Sequence, residues 1–288
     1  MGKILHITSG DTAGGSLAKS DIEGEVFVWH DILYDGPRKP GWPDDDTLRA
    51  RSQFLEDETG GGLDKTFVYK TLRFQYEKLV TARNYERVVL WFDACLFDQS
   101  MLCHILSCMR LKNIRNVQLI CLDAFSGIEP FNGLGQLRPH QFLSIYDQSR
   151  PVTEEQFIFA EIVDRAFALQ DRKAFVHLSE YKDAPLPWVP AAVLRWLKEQ
   201  PDETTGLGRL QKLALEAIRN GKKTPSEIFK VVAAADTHPQ FWGDNTLWAR
   251  INSLADKNLV HIDGPERRLP QWDTGIDLNS FRISATVK

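Results

Sequence analysis

The sequence predicts an α/β protein: an open, mostly parallel sheet with a Rossmann-like strand–loop–helix start, a helical middle section and a C-terminal winged-helix-like unit. Three observations predict it. Four short apolar runs, at 4–8, 26–29, 88–92 and 117–122, have the length and composition of buried parallel strands. Helical periodicity fills most of the intervals between them, which favours a parallel sheet with crossover helices. Beyond Pro201 the chain turns to three amphipathic helices followed by two strand-like runs.

Taken in order, the first run ends in Ser9, Gly10, Asp11 and Thr12. A glycine-rich loop with Gly14 and Gly15 is expected after it, and Ser16 is expected to open a short helix over 16–20. Helical patterns over 47–58 and 65–83 are split by Gly60, Gly61 and Gly62. A further helix is expected over 98–111, with Asp98 as its N-cap; Asp98 and Gln99 could instead touch a ligand, and capping is preferred. Residues 123–139 read as a long loop punctuated by Gly127, Pro130, Gly133, Gly135 and Pro139, and a loop of that length suggests function. A helix over 153–169 is announced by a capping box between Thr153 and Gln156. Two more are expected over 172–181 and 189–199.

Residues 201–208 read as a linker. Helices over 210–220, 225–235 and 245–257 follow, the second with Thr224 as N-cap and Pro225 at its first position. Strands over 259–262 and 281–287 close the chain. The expected organisation is an α/β domain over 1–150, a helical linker section over 151–200 and a winged-helix-like domain over 201–288.

Composition excludes several classes. With 43% hydrophobic and 26% charged residues the 288-residue chain has the make-up of a folded globular protein. A net charge of −4 argues against a surface made throughout for nucleic acid. No apolar run reaches the roughly 18 residues of a membrane span. The start lacks a charged segment followed by an apolar one, so a cytoplasmic location is expected. Cys95, Cys103, Cys108 and Cys121 show no CxxC spacing and are expected as buried free thiols.

Ligands of parallel sheets bind beyond the C-terminal ends of the strands. Here those ends carry Ser9 to Thr12, then His30 and Asp31, then Asp93, then Asp123. Two readings of the acids follow. Asp11, Asp31 and Asp93 could converge to hold a divalent metal such as Mg²⁺ against a phosphate, with His30 beside Asp31 for proton transfer. Alternatively they are helix caps and turn residues.

The 9–16 segment is the second candidate. Ser9, Gly10, Thr12, Gly14, Gly15 and Ser16 could bring free backbone N–H groups to an anion. No Lys-Ser/Thr pair follows, so it is not a P-loop. Gly10-Asp11-Thr12 resembles the Gly-Asp-Ser of one esterase class, but no histidine has an aspartate three residues before it. Gly133, Gly135 and Gln136 in the long loop are placed to close over a ligand. His6, inside the first strand, is expected as a hydrogen-bonded core residue. In the C-terminal unit, Lys222, Lys223, Lys230, Arg250, Arg267 and Arg268 fall short of a basic stripe, and Trp242 and Trp248 favour packing, so protein docking is preferred over DNA reading.

Several blocks together carry a family resemblance. They are His6-Ile-Thr-Ser-Gly-Asp11-Thr, Trp29-His-Asp31-Ile-Leu-Tyr-Asp-Gly36-Pro37, Leu90-Trp91-Phe92, Leu96-Phe97-Asp98-Gln99, Gly133-Leu-Gly135-Gln136-Leu and Arg150-Pro-Val-Thr153. In this order they resemble the bacterial domain-of-unknown-function family 1835. Residues 206–260, with Thr224-Pro225, Phe229, Gly243-Asp244, Trp248 and Leu254, resemble the companion family 3658. The resemblance implies a bacterial source and brings no assigned catalytic residues. Where that family's usual pattern reads Trp-Phe-Glu-His-Asp, this chain has Trp91-Phe92-Asp93-Ala94-Cys95. Two polar groups are thus replaced, and altered chemistry at this strand end is implied.

The expected function is binding of a phosphorylated ligand, a nucleotide or a nucleic-acid end, with metal-assisted phosphoryl chemistry as its possible extension. The alternative is a non-enzymatic ligand-sensing regulator or interaction scaffold, whose C-terminal module contacts DNA or a protein.

Overall fold

The computed structural model describes residues 2–272 and 275–286. Its main sheet contains β1 (Ile4–Ser9), β2 (Glu25–Trp29), β3 (Arg87–Asp93), β4 (Val117–Leu122) and β5 (Arg150–Pro151), in the order β2-β1-β3-β4-β5. β1 to β4 are mutually parallel, with Leu5 opposite Glu25 on one side and Val88 on the other. The two-residue β5 runs antiparallel beside Gln118 and Leu119. An α/β protein with a mostly parallel sheet is therefore what the chain forms.

Eleven α-helices occur among the described residues. In the first half they are α1 (Asp11–Ala18), α2 (Asp45–Glu58), α3 (Lys65–Thr81), α4 (Leu96–Leu111) and α5 (Pro139–Ile145). Then come α6 (Glu154–Leu169), α7 (Arg172–Ser179), α8 (Val189–Glu199), α9 (Arg209–Arg219), α10 (Pro225–Ala235) and α11 (Asp244–Asp256). β6 (Val260–Asp263) and β7 (Arg282–Ala285) pair as an antiparallel ribbon. The expected last strand is found over its middle, and Val287 lies outside the described residues.

The alternation of β3 explains the two-layer cover of the sheet. Val88, Leu90 and Phe92 face a large core shared with α3, α4 and α6. Val89 and Trp91 face the opposite side, against Ala13 and Leu17 of α1 and Phe142 and Ile145 of α5. Side chains alternate across a strand, so burial on both faces demands the continuous apolar run seen in the sequence. The large apolar cluster continues from Leu5 in β1 to Ile283 in β7. Trp196 on α8 donates its indole N–H to the Tyr34 carbonyl at 3.1 Å, and Gln271 donates to the Glu58 carbonyl at 2.8 Å.

Three local expectations are corrected. Helix α1 begins at Asp11, directly after Gly10, so Gly14, Gly15 and Ser16 lie within a helix and not in a loop. The cause is tertiary: a Cβ on Gly14 would sit 2.3 Å from Val28 Cγ2, so this glycine lets α1 rest on β2. Helix α4 begins before Asp98, with the Cys95 thiol accepting from the Asp98 N–H at 3.4 Å. The long loop after β4 is present over its expected length, with one 3-10 turn at Leu134–Gln136, but its last residue, Pro139, is the first residue of α5 rather than a loop residue.

Candidate functional site

The chain leaves β1 to one side of the sheet for β2 and reaches β3 on the other side. The strand order therefore reverses between β1 and β3, the place where open α/β sheets form a crevice. A cavity of about 220 Å³ opens there, beyond the C-terminal ends of both strands. Ser9, Gly10, Asp11, Thr12 and Ala13 line one side, and Asp93, Cys95, Phe97 and Asp98 another. Asn132 to Gly135 cover it, and Gln240 and Phe241 reach in from the segment between α10 and α11.

Helix α1 presents its N-terminus to this cavity. Its N-cap is Gly10, which has no side chain to offer. The first N–H returned to the helix is that of Gly14, bonded to the Gly10 carbonyl at 3.0 Å. Asp11, Thr12 and Ala13 have no hydrogen-bond acceptor for their N–H groups among the described residues. Uncapped donors at the positive end of a helix favour an anion.

The cavity floor is a buried acid pair. The Ser9 hydroxyl donates to Asp98 Oδ1 at 2.5 Å, and the Asp93 N–H donates to Asp98 Oδ2 at 2.7 Å. Asp93 in turn accepts from the Cys95 N–H at 2.9 Å and the Leu134 N–H at 3.3 Å. Burial pushes the Asp98 carboxyl well above the usual carboxylate range, and the neighbouring Asp93 charge adds to this while the Ser9 hydroxyl opposes it. Burial also raises Asp93, against its backbone hydrogen bonds. The Cys95 thiol is pushed up by burial and by both acids, so it stays protonated. Gly133, with φ of 129°, lies so close that a Cβ there would fall 2.5 Å from Asp93 Oδ2.

The predicted acids do not converge. Asp31 is buried in an ion pair with Arg51 at 2.5 Å and also caps the Ile32 N–H at 2.7 Å. Asp11 is exposed at the rim, 2.9 Å from His30 Nε2. His30 and Asp31 thus point apart, as successive residues of an extended segment do. Asp123 lines a separate, open hollow with His238. Asp93, Cys95 and Asp98 do lie within 4.8 Å of one another. They do not suit Mg²⁺, which takes charged oxygen ligands and keeps bound water. Here one donor is a protonated thiol, and backbone and hydroxyl donors already occupy the carboxylates.

Among the residues expected to bind ligand, Ser9, Gly10, Thr12, Gly133 and Gly135 line the cavity. Gly14 packs inside, and Gly15 and Ser16 belong to later turns of α1. Gln136 braces its own loop, accepting from the Asn132 N–H at 2.5 Å and donating to the Pro130 carbonyl at 3.3 Å. His6 is a core residue: it accepts from the Trp91 indole at 3.1 Å and contacts the Glu23 carbonyl at 3.1 Å. Phe97, Asn132, Gln240 and Phe241 are not expected as site residues, whereas Asp98, for which capping was preferred over ligand contact, lines the cavity. Asp98 was visible as an acid after a strand, but its capping reading concealed it. Nothing local in the sequence marks Gln240 or Phe241.

The four cysteines are free, three of them buried and Cys121 half-buried. No helix among the described residues is long and apolar enough to cross a membrane. No family model matches this chain, and no curated protein matches it either.

Proposed function

We propose that this protein binds a phosphorylated ligand in the cavity between the ends of β1 and β3. The observation that carries the proposal is the uncapped N-terminus of α1, with three free N–H groups facing a cavity at the topological switch point. A phosphate there meets the N–H groups of Asp11, Thr12 and Ala13. The Asp93 and Asp98 carboxyls, held toward their neutral forms, repel it less than two free carboxylates would. Phe97 and Phe241 supply an apolar wall for the rest of a nucleotide-like molecule. Metal-assisted phosphoryl chemistry loses its support with the dispersal of Asp11, Asp31 and Asp93.

A second reading, ligand sensing without catalysis, is favoured by one specific feature. Gln240 and Phe241 belong to the connection between α10 and α11, so the C-terminal helices contribute directly to the cavity wall. In this reading the winged-helix-like arrangement of α9 to α11 and the β6–β7 ribbon reports occupancy to a partner. The order of the sequence blocks supports grouping the chain with families 1835 and 3658.

The test is a thermal-shift series of inorganic phosphate and nucleotides on wild type and Thr12→Asp. A carboxylate in the first turn of α1 favours the helix by about 0.3–1 kcal/mol and repels an anion. A ligand at 100 times its Kd adds about 2.7 kcal/mol of stability. The proposal expects a phosphorylated compound to stabilise wild type and not Thr12→Asp, while the unliganded variant melts no lower than wild type. Equal shifts in both proteins, or none in wild type, would overturn it.

A further inference from the structure

A second cavity, of about 330 Å³, lies where α8, α9 and α11 meet the Tyr34–Asp35 turn. It is separate from the first, although Phe241 forms a wall of both. Two cations line it. Arg250 on α11 has no ion-pair or hydrogen-bond partner among the described residues. The Lys257 ammonium, exposed at the end of α11, donates to the Gly206 carbonyl at 2.9 Å and has no acidic partner among the described residues.

The acids nearby are already engaged. Asp35 accepts from the Gly36 N–H at 2.7 Å. Glu199 accepts from Arg195 at 2.6 Å and from the Leu210 N–H at 3.0 Å. Glu58, outside the lining, is half-buried, and burial raises its carboxyl toward the neutral form against the Arg250 charge.

A neutral donor completes the set. Tyr34 is buried in the cavity wall, and its hydroxyl has no hydrogen-bond partner among the described residues. Burial raises its pKa, so it keeps its proton, and Arg250 is the charge that acts on it most. The residue is buried but its hydroxyl oxygen keeps access to the cavity, so the O–H is free to donate to an acceptor bound there. A half-buried guanidinium with no direct ion pair among the described residues is matched to a carboxylate or phosphate, which its fork of N–H groups can hold at two points.

We propose that this cavity is a second, oxyanion-binding site, taking a small molecule whose carboxylate or phosphate head is held by Arg250, the Tyr34 hydroxyl and Lys257. The site does not depend on the α1 cavity or on what binds there. Its position between the sheet-bearing half and the C-terminal helices suits a small metabolite that holds the two together.

The experiment is isothermal titration of malonate and inorganic phosphate into the full-length chain. Four proteins are compared: wild type, Thr12→Asp, Arg250→Gln and Arg250→Lys. Thr12→Asp removes the α1 anion site, so what it retains belongs to the second cavity. Arg250→Gln should weaken that binding about tenfold or more, the loss expected for a charge-assisted hydrogen bond. Arg250→Lys should recover part of it, and tighter binding of malonate or of phosphate identifies the preferred head group.

The Arg250 side chain has no ion-pair or hydrogen-bond partner among the described residues, so its replacement should leave the melting temperature nearly unchanged. If Arg250→Gln does not fold, Lys257→Gln at the exposed mouth takes its place, with a smaller loss expected. The proposal is overturned if neither anion binds wild type. It is equally overturned if binding is lost in Thr12→Asp but intact in the Arg250 and Lys257 variants.

Discussion

Asp93 donates its main-chain N–H to the Asp98 carboxylate at 2.7 Å, while both side chains line one wall of the α1 cavity. No lysine or arginine lines that cavity among the described residues. Two buried carboxyls without a cation favour retention of a proton, which is why burial raises both and their mutual charge raises Asp98 further. An arrangement of this kind costs stability.

The cost has a predicted sign. An aspartate released from the fold titrates near about pH 4. With the folded pKa raised above that, the native state keeps a proton that the unfolded chain gives up. The contribution is therefore unfavourable above about pH 4 and grows with pH until the folded pKa is passed. Asp98→Asn removes this term and can still accept from the Asp93 N–H while donating to Ser9. Its urea midpoint should exceed that of wild type at pH 7.5, and the two should converge toward pH 4. A variant less stable than wild type at pH 7.5 would show that the acid pair supports the fold.

Asp31, by contrast, has its charge matched by a buried cation. Arg51 donates to Asp31 at 2.5 Å and to the carbonyls of Ile32 and Asp35 at 2.5 and 2.6 Å. This single guanidinium ties the segment after β2 to α2. Arg51→Ala leaves a buried carboxylate and two carbonyls without their donor, a loss of about 3–5 kcal/mol. Chemical denaturation should report it, and Arg51→Ala with Asp31→Ala should lose less than the two single changes summed. Additive losses would mean that the two side chains act independently.

Gly14 and Gly15 separate packing from ligand contact. A Cβ at Gly14 meets Val28 Cγ2 at 2.3 Å, whereas one at Gly15 meets nothing within 4 Å. Gly14→Ala should therefore destabilise by about 1–3 kcal/mol through overpacking, and Val28→Ala should relieve much of that loss. Gly15→Ala should stabilise by about 0.5–1 kcal/mol, the usual gain of alanine over glycine within a helix. Thermal melts decide both. A loss on Gly15→Ala would restore the loop-like role that the sequence suggested for this position.

These residues show where the sequence was legible. β3 was the most readable strand because it is buried on both faces and apolar through Phe92, and β1, β2 and β4 were readable as mostly apolar runs of strand length. The α6 start was readable because Thr153 and Gln156 cap it through purely local bonds. The α1 start was not, because the contact that decides it, Gly14 on Val28, joins two elements. Asp31 looked like a strand-end ligand because its partner, Arg51, lies 20 positions away and carries no local signal. Asp98 was hidden by a sound local rule, since an aspartate before a helical run is usually its cap, while here Cys95 takes that place. Gln240 and Phe241 reach the cavity only through the packing of the C-terminal helices.

His6 supplies a second pH term of contrary sign. Burial lowers its pKa, the Arg87 charge adds to this, and the Glu23 carbonyl opposes it. The buried ring accepts from the Trp91 indole through Nδ1, so Nε2 carries the proton toward Glu23. An unfolded histidine titrates near about pH 6.5. Below that value the unfolded chain takes up a proton that the native ring refuses. The stabilising contribution of neutral His6 is thus fully present above about pH 6.5 and is lost as pH falls toward the folded pKa. His6→Gln can accept from Trp91 and donate to Glu23 without titrating. Its urea midpoint should change less between pH 7.5 and pH 5 than that of wild type, whatever packing it loses at both. Because the Asp98 term weakens the fold as pH rises and the His6 term weakens it as pH falls, the two variants should flatten opposite sides of the stability profile. If His6→Gln keeps the wild-type slope below pH 6.5, another group controls acid sensitivity and His6 is not held neutral.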